Sequence, residues 1–189
     1  NIALEEIGTL VVELLDALEL AHKYTVHRDI KPENILIPRN PIDSKIKICD
    51  FGLAQLQNPA LMFSTNQIMG TYNYMAPEQH TDSSKVDRRA DLYSVGVLFY
   101  EALTGKFPIG RFKLPTQLRS DLIEDIDSFI EKSLAPDVAD RFQDAKEMKL
   151  ALIALMNPDN REEINPQSSA RLLSKKIFRT GSLKEKTPR

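Results

Sequence analysis

The run His27-Arg28-Asp29-Ile30-Lys31-Pro32-Glu33-Asn34 is followed, sixteen residues after Asn34, by Asp50-Phe51-Gly52. An acid, a cation, an amide and a second acid thus lie in fixed order. That set suits phosphoryl transfer, which needs an oriented hydroxyl and neutralised phosphate charge but little covalent help. Asp29 is the candidate that accepts or orients the hydroxyl proton; an unperturbed aspartate titrates at about 4, so it contributes positioning as much as basicity. Lys31 can meet a γ-phosphate as a point charge. Asn34 offers a neutral amide oxygen, and Asp50 a carboxylate, to Mg2+ bridging the phosphates of ATP. Ala76-Pro77-Glu78 closes the segment that opens at Asp50. An Asp-rich loop alone would form turns or cap helices; three motifs in order argue for chemistry.

The elements that must hold these residues follow from periodicity. Leu10, Val11, Leu14, Leu15, Leu18 and Ala21 recur at helical spacing and predict an amphipathic helix over 9–23, just before the first motif. Residues 35–37 and 46–49 read as two short strands around a polar turn at 39–44. Residues 50–78 show no sustained period and are punctuated by Pro59, Gly70 and Pro77, as in a long functional loop. Residues 91–103 are apolar on nearly every side, as in a helix buried at the centre, stopped by Gly105 and Pro108. Further helices are expected over 120–134 and 143–156. Beyond Asn157-Pro158-Asp159 the period is lost, which divides the chain into a domain over 1–157 and a basic, flexible tail over 158–189.

With 189 residues, 42% of them apolar and 28% charged, the chain has the composition of one soluble globular domain. A single cysteine, Cys49, excludes an internal disulfide and fits a reducing compartment, so a cytoplasmic location is expected. No apolar run approaches the roughly 20 residues that span a bilayer; the longest is interrupted by Ser94, Gly96 and Glu101. The net charge of −2 conceals eight Lys/Arg against three Glu over 161–189. A solvated tail accounts for that excess, and with Phe178 its only aromatic there is little for base stacking, so no specific nucleic acid is expected.

The three motifs together resemble the C-terminal lobe of the eukaryotic-type protein kinase family, over roughly residues 9–156. The resemblance implies an α+β, protein-kinase-like fold, mainly α-helical with short β-strands near the ATP site. It also implies an ATP- and Mg2+-dependent transfer of the γ-phosphate to protein substrates. Lys31-Pro32-Glu33-Asn34, and Gly70-Thr71 ahead of Tyr74-Met75-Ala76-Pro77-Glu78, look like the serine/threonine branch, and the run 70–79 resembles bacterial members. By similarity, Asp29, Lys31 and Thr71 form the catalytic set, with the Thr71 hydroxyl bridging Asp29 and Lys31. Lys31, Asn34, Leu36 and Asp50 are implied to bind ATP, with Leu36 beneath the adenine ring, and Asn34 and Asp50 to hold the metal. Glu78 and Arg141 resemble the family's buried ion pair. Asp91, opening the buried helix, is similar to the carboxylate that accepts hydrogen bonds from the backbone around His27-Arg28-Asp29. Arg28 suggests control by a phosphate on the loop after Asp50, with Ser64 and Thr65 as candidate acceptors. His27 is expected to pack within the loop, and Cys49 either as a buried strand residue or facing the nucleotide.

Several features depart from the family. No Gly-rich phosphate loop, strand lysine or partnering helix glutamate is found, so the upper lobe is absent from these residues. The chain starts at Asn1 without a signal-peptide pattern and is expected to be a piece of a longer protein, inactive alone. The stretch from His22 to His27 is one residue short, and 105–121 leaves little room for a substrate-docking helix. A truncated or pseudokinase scaffold is the main rival, opposed by intact Asp29, Asn34 and Asp50. A small-molecule kinase of the aminoglycoside or choline type would share the acids but not Arg28, Thr71 and Ala76-Pro77-Glu78. A nucleic-acid module, suggested by the tail, is the third.

Overall fold

The computed structural model describes residues 3–38, 45–51, 72–82 and 85–157. The chain divides into two compact units, 1–156 and 157–189, and the first carries every element described below. The elements are α1 (Leu4–Ala21), β1 (Ile35–Leu36), β2 (Lys47–Ile48), α2 (Pro77–Thr81), α3 (Arg88–Thr104), α4 (Pro115–Leu118), α5 (Asp125–Ser133) and α6 (Ala145–Met156).

Helix α1 begins five residues before the expected start. Leu4 and Ile7 extend its apolar stripe onto the core, and Glu5 and Glu6 face the positive end of the helix dipole. Thr9 does not cap it; its hydroxyl donates back to the Glu5 carbonyl one turn earlier, 2.7 Å away. Leu14, Leu15 and Leu18 are buried against α3 and α6, each contributing about 1.5–3 kcal/mol through burial. Lys149 of α6 reaches Asp16 and Glu19 of α1 at 2.7 Å each, a half-exposed pair of bridges worth little beside that apolar seam.

Helix α3 runs through the centre, with ten of its seventeen residues buried. Its cap is Asp87, whose carboxylate accepts the Arg89 N–H, so Asp91 lies one turn inside the helix rather than opening it. Gly105, at φ 69°, ends it in the left-handed conformation that glycine adopts without strain.

The expected helix over 120–134 starts five residues late, as α5, with α4 a separate short helix ahead of the expected start. Between them the Arg119 guanidinium takes the Leu103 carbonyl and the Asp121 carboxylate, and Asp127 of α5 accepts the Thr116 N–H of α4. These tertiary bonds outweigh the apolar period. The strands are shorter than expected and pair antiparallel, with Ile35 opposite Ile48 and Leu36 opposite Lys47. The proposed turn at 39–44 and the tail 158–189 lie outside the described residues.

Two helical glycines give opposite expectations. A Cβ on Gly96 would stand 2.6 Å from the Ser133 Cβ of α5, at a close approach of two buried helices. On Gly8 its nearest neighbour would be the Met156 Sδ at 2.1 Å, part of a flexible side chain at the end of α6 that can swing aside. Gly96→Ala should therefore cost about 1–3 kcal/mol through overpacking. Gly8→Ala should be neutral or gain up to about 1 kcal/mol of helix propensity. Urea unfolding of both variants measures the contrast.

Candidate active site

Residues 22–34 leave α1 and return under β1, and three donors hold them to one buried carboxylate. Asp91 Oδ2 accepts the His27 N–H at 2.8 Å and Oδ1 the Arg28 N–H at 2.7 Å. Oδ2 also takes the imidazole of His22, the C-cap of α1, at 2.9 Å. Asp91 is fully buried, so it requires such a set of partners. Tyr24 and Thr25 fold back onto the Ala21 carbonyl, closing the shortened turn and leaving Tyr24 84% exposed.

His27 is buried, with its ring edge against Phe51, centroids 4.6 Å apart. Its Nδ1 accepts the Asp29 N–H at 3.3 Å, which assigns the ring proton to Nε2, and Nε2 donates to the Cys49 carbonyl at 2.8 Å. This one side chain ties the loop to the segment carrying Asp50. Among the described residues, the only non-glycine residues at positive φ are Arg28 (68°) and Asp50 (62°), one at each side of that tie. Strain of this kind persists only where surrounding bonds over-determine it.

Asp29 is bonded to two residues of its own loop. Lys31 Nζ lies 2.9 Å from Asp29 Oδ2. Asn34 Nδ2 donates to the same oxygen at 3.0 Å and to the Asp29 carbonyl at 2.8 Å. Both partners of that nitrogen are pure acceptors, so the amide orientation is fixed and the Asn34 carbonyl oxygen turns away from Asp29. The Asn34 backbone carbonyl accepts the Cys49 N–H at 3.0 Å, which brings the residue before Asp50 alongside Asn34. Asp50 is exposed. The Cys49 thiol is half-buried 3.6 Å from Asp50 Oδ2, and desolvation, followed by that carboxylate's charge, pushes the thiol up from its ordinary value. It is therefore a thiol rather than a reactive thiolate.

Among the described residues no group of three or more His, Cys, Asp or Glu side chains forms a metal cage. An amide oxygen and a carboxylate are donor types that suit Mg2+, which keeps several waters and takes substrate phosphates as ligands. The Cys49 N–H bond to the Asn34 backbone carbonyl links the segments that carry Asn34 and Asp50. Leu36, the last residue of β1, is 54% exposed, and Ile37 after the strand is 60% exposed. Thr71, Ser64 and Thr65 lie outside the described residues.

The far side of the site is held by α2 and α3. Arg141, buried, pairs both oxygens of Glu78 at 2.7 and 2.8 Å, donates to the Ala135 carbonyl and lies over the Tyr93 ring. Ser94 Oγ donates to the Tyr74 carbonyl at 2.8 Å, and the Tyr74 hydroxyl donates to Glu101. Burial and the Glu101 carboxylate push the Tyr74 phenol well above its usual range. Gln79 links the Ala76 N–H to the Arg28 carbonyl. The sequence reading missed His22, Ser94, Tyr74 and Gln79 as structural ties. Only Gln79 carried a signal, as an N3 glutamine able to reach back to an N-cap amide.

A family model described as protein kinase domain matches residues 1–171. The chain belongs to the protein kinase family. This kinase domain is 36% identical over 185 residues to the serine/threonine-protein kinase PknL of Mycobacterium tuberculosis, covering 88% of this chain and 45% of that protein. It is 32% identical over 166 residues to the tyrosine-protein kinase MasK of Myxococcus xanthus, covering 76% of this chain and 25% of that protein. The crystal structure of the PknI kinase domain of Mycobacterium tuberculosis superposes with a TM-score of 0.61 at 26% identity, over 82% of this chain and 56% of that one. The chain thus spans less than half the length of these curated relatives. The kinase domain's mostly helical build with two short strands fits a C-terminal lobe.

The Asp91 tie makes a direct prediction. Asp91→Asn turns an NH2 toward backbone donors and should cost about 2–3 kcal/mol in urea unfolding. Asp87→Asn, which retains a good helix cap, should cost under about 1 kcal/mol.

Proposed function

We propose that this chain is the lower lobe of a protein serine/threonine kinase, transferring the ATP γ-phosphate to Ser or Thr hydroxyls of protein substrates in the cytoplasm. The observation that carries this reading is the Asp29 carboxylate, held between the Lys31 ammonium and the Asn34 amide at 2.9 and 3.0 Å. An acid fixed in this way can orient a hydroxyl for in-line attack, which is the main protein contribution to such a transfer. Asp29 receives or orients the hydroxyl proton. Lys31, already beside it, meets the transferring phosphate and balances its charge; the family resemblance assigns Thr71 the role of bridging the two. Asn34, through its carbonyl oxygen, and Asp50, through its carboxylate, would hold Mg2+, which when bound neutralises charge on the phosphates. Leu36 supplies an apolar floor for the adenine. Its side chain is exposed, as an adenine-facing surface must be before the ligand arrives.

The serine/threonine preference rests on Lys31-Pro32-Glu33-Asn34 and on the name of the PknL relative. MasK bears a tyrosine-kinase name, so the acceptor hydroxyl has to be tested directly. The second reading, a kinase-fold scaffold that binds partners without transfer, draws on the lack of any Gly-rich loop or phosphate-binding strand lysine in these residues. The intact Asp29, Lys31, Asn34 and Asp50 favour transfer.

The test is phosphate incorporation from labelled ATP by the complete protein, followed by phosphoamino-acid analysis. Phosphoserine or phosphothreonine is expected, and Asp29→Asn should lower kcat about 10²–10⁴-fold. The 189-residue chain alone should show no transfer above background. Incorporation that persists in Asp29→Asn would overturn the assignment of Asp29.

A regulatory expectation concerns Arg28. Among the described residues its buried Nε has no hydrogen-bond partner, and its guanidinium makes a long bond to the Val86 carbonyl at 3.4 Å. A guanidinium in that condition can grip a phosphate. Mass mapping of the active protein is expected to find phosphate on Ser64 or Thr65, and a bare 55–69 segment would end the idea.

A further inference from the structure

Gln79 makes one hydrogen bond at each end of its side-chain amide. Oε1 accepts the Ala76 N–H at 2.9 Å, and Nε2 donates to the Arg28 carbonyl at 2.7 Å. A donor at one end and an acceptor at the other fix the amide's orientation. The Arg28 carbonyl belongs to the peptide that joins Arg28 to Asp29. The N–H of that same peptide donates to His27 Nδ1 at 3.3 Å. The peptide plane carrying Asp29 is therefore gripped on both edges, by His27 within the loop and by Gln79 from outside it.

The grip matters because Arg28 sits at φ 68°, a conformation that a side chain with a Cβ leaves when its bonds are removed. Relaxation of Arg28 would rotate the Arg28–Asp29 peptide and with it the Asp29 side chain that now meets Lys31 and Asn34. Gln79 is also one residue from Glu78, which the buried Arg141 holds with two bonds. A continuous path thus runs from Arg141 through Glu78 and α2 to Gln79, and across to the Asp29 peptide.

We propose that Gln79 is a positioning residue that couples the Ala76-Pro77-Glu78 turn to the catalytic loop by holding the Arg28–Asp29 peptide. Its role in catalysis rests on the kinase reading above; the coupling itself does not. Glutamate cannot replace it, because a carboxylate facing the Arg28 carbonyl has no proton to give. Methionine fills the same length with no polar end.

The experiment uses the complete protein with Gln79→Met and Gln79→Glu, the second retaining the acceptor for Ala76 in case the first folds poorly. Amide hydrogen exchange over residues 26–31 should quicken on the order of tenfold, and kcat should fall about tenfold, the scale of one lost hydrogen bond. The KM for ATP should stay within about twofold and the melting temperature within a few degrees, because positioning is lost and not the fold. Unchanged exchange over 26–31 in both variants overturns the proposal. So does a fall in activity that tracks the melting temperature or appears equally in the KM for ATP. If the unsubstituted protein phosphorylates no Ser or Thr, the kinase reading fails, while the exchange result still decides the coupling.

Discussion

The Asp91 carboxylate is the interaction on which the rest of the site depends. It is a fully buried charge in the first turns of a central helix, and burial of a charge is costly unless strong donors meet it. The donors are the backbone of His27 and Arg28 and the ring of His22, more than sixty residues earlier in the chain. Because α3 is packed by apolar side chains on nearly every side, its position is fixed independently of the loop. Asp91 passes that fixity to the loop. The left-handed Arg28 is tolerable for this reason: its N–H is taken by Asp91 and its carbonyl by Gln79, so the strain is offset by bonds on both sides.

The same helix grips the other wall of the site through one stripe. Asp91, Ser94 and Glu101 stand at i, i+3 and i+10, a spacing that keeps them on a single face. Asp91 takes the catalytic loop, Ser94 the Tyr74 carbonyl and Glu101 the Tyr74 hydroxyl. The polar residues that interrupt the apolar run are thus the ones that hold the site, while Gly96 lets α5 approach closely. A helix with no clear amphipathic face in sequence has a polar seam in structure, each member of it satisfied.

The chemistry-bearing residues were legible because their spacing is local. Asp29, Lys31 and Asn34 lie within six residues, so the backbone alone brings them together, and the family resemblance gave the link to Asp50. The central helix was legible from its unbroken burial. What escaped was set by long-range partners: His22 is drawn in by Asp91, and Tyr74 by Ser94 and Glu101. Helix ends shifted for the same reason. The apolar period over 120–134 ignored Asp121, whose carboxylate is held by the Arg119 guanidinium, and the helix starts only at Asp125. Asp91 was correctly expected to receive the loop's backbone, but it does not open the helix: Asp87 caps it, four residues earlier.

The relation between Asn34 and Asp50 rests on less than the ladder between them suggests. Two strands of two residues each supply few bonds, and an isolated hairpin even longer than this is marginal in water. The register must therefore be imposed from outside. Ile35 and Ile48 pack onto the core below, the Asn34 carbonyl holds the Cys49 N–H, and the His27 ring holds the Cys49 carbonyl. The peptide leading into Asp50 is thus pinned by a histidine whose own backbone hangs from Asp91. Both halves of the proposed metal site inherit their placement from one buried carboxylate. The acid at 29 and the acid at 50 are consequently not independent parts: a change that loosens the loop at His27 displaces both at once.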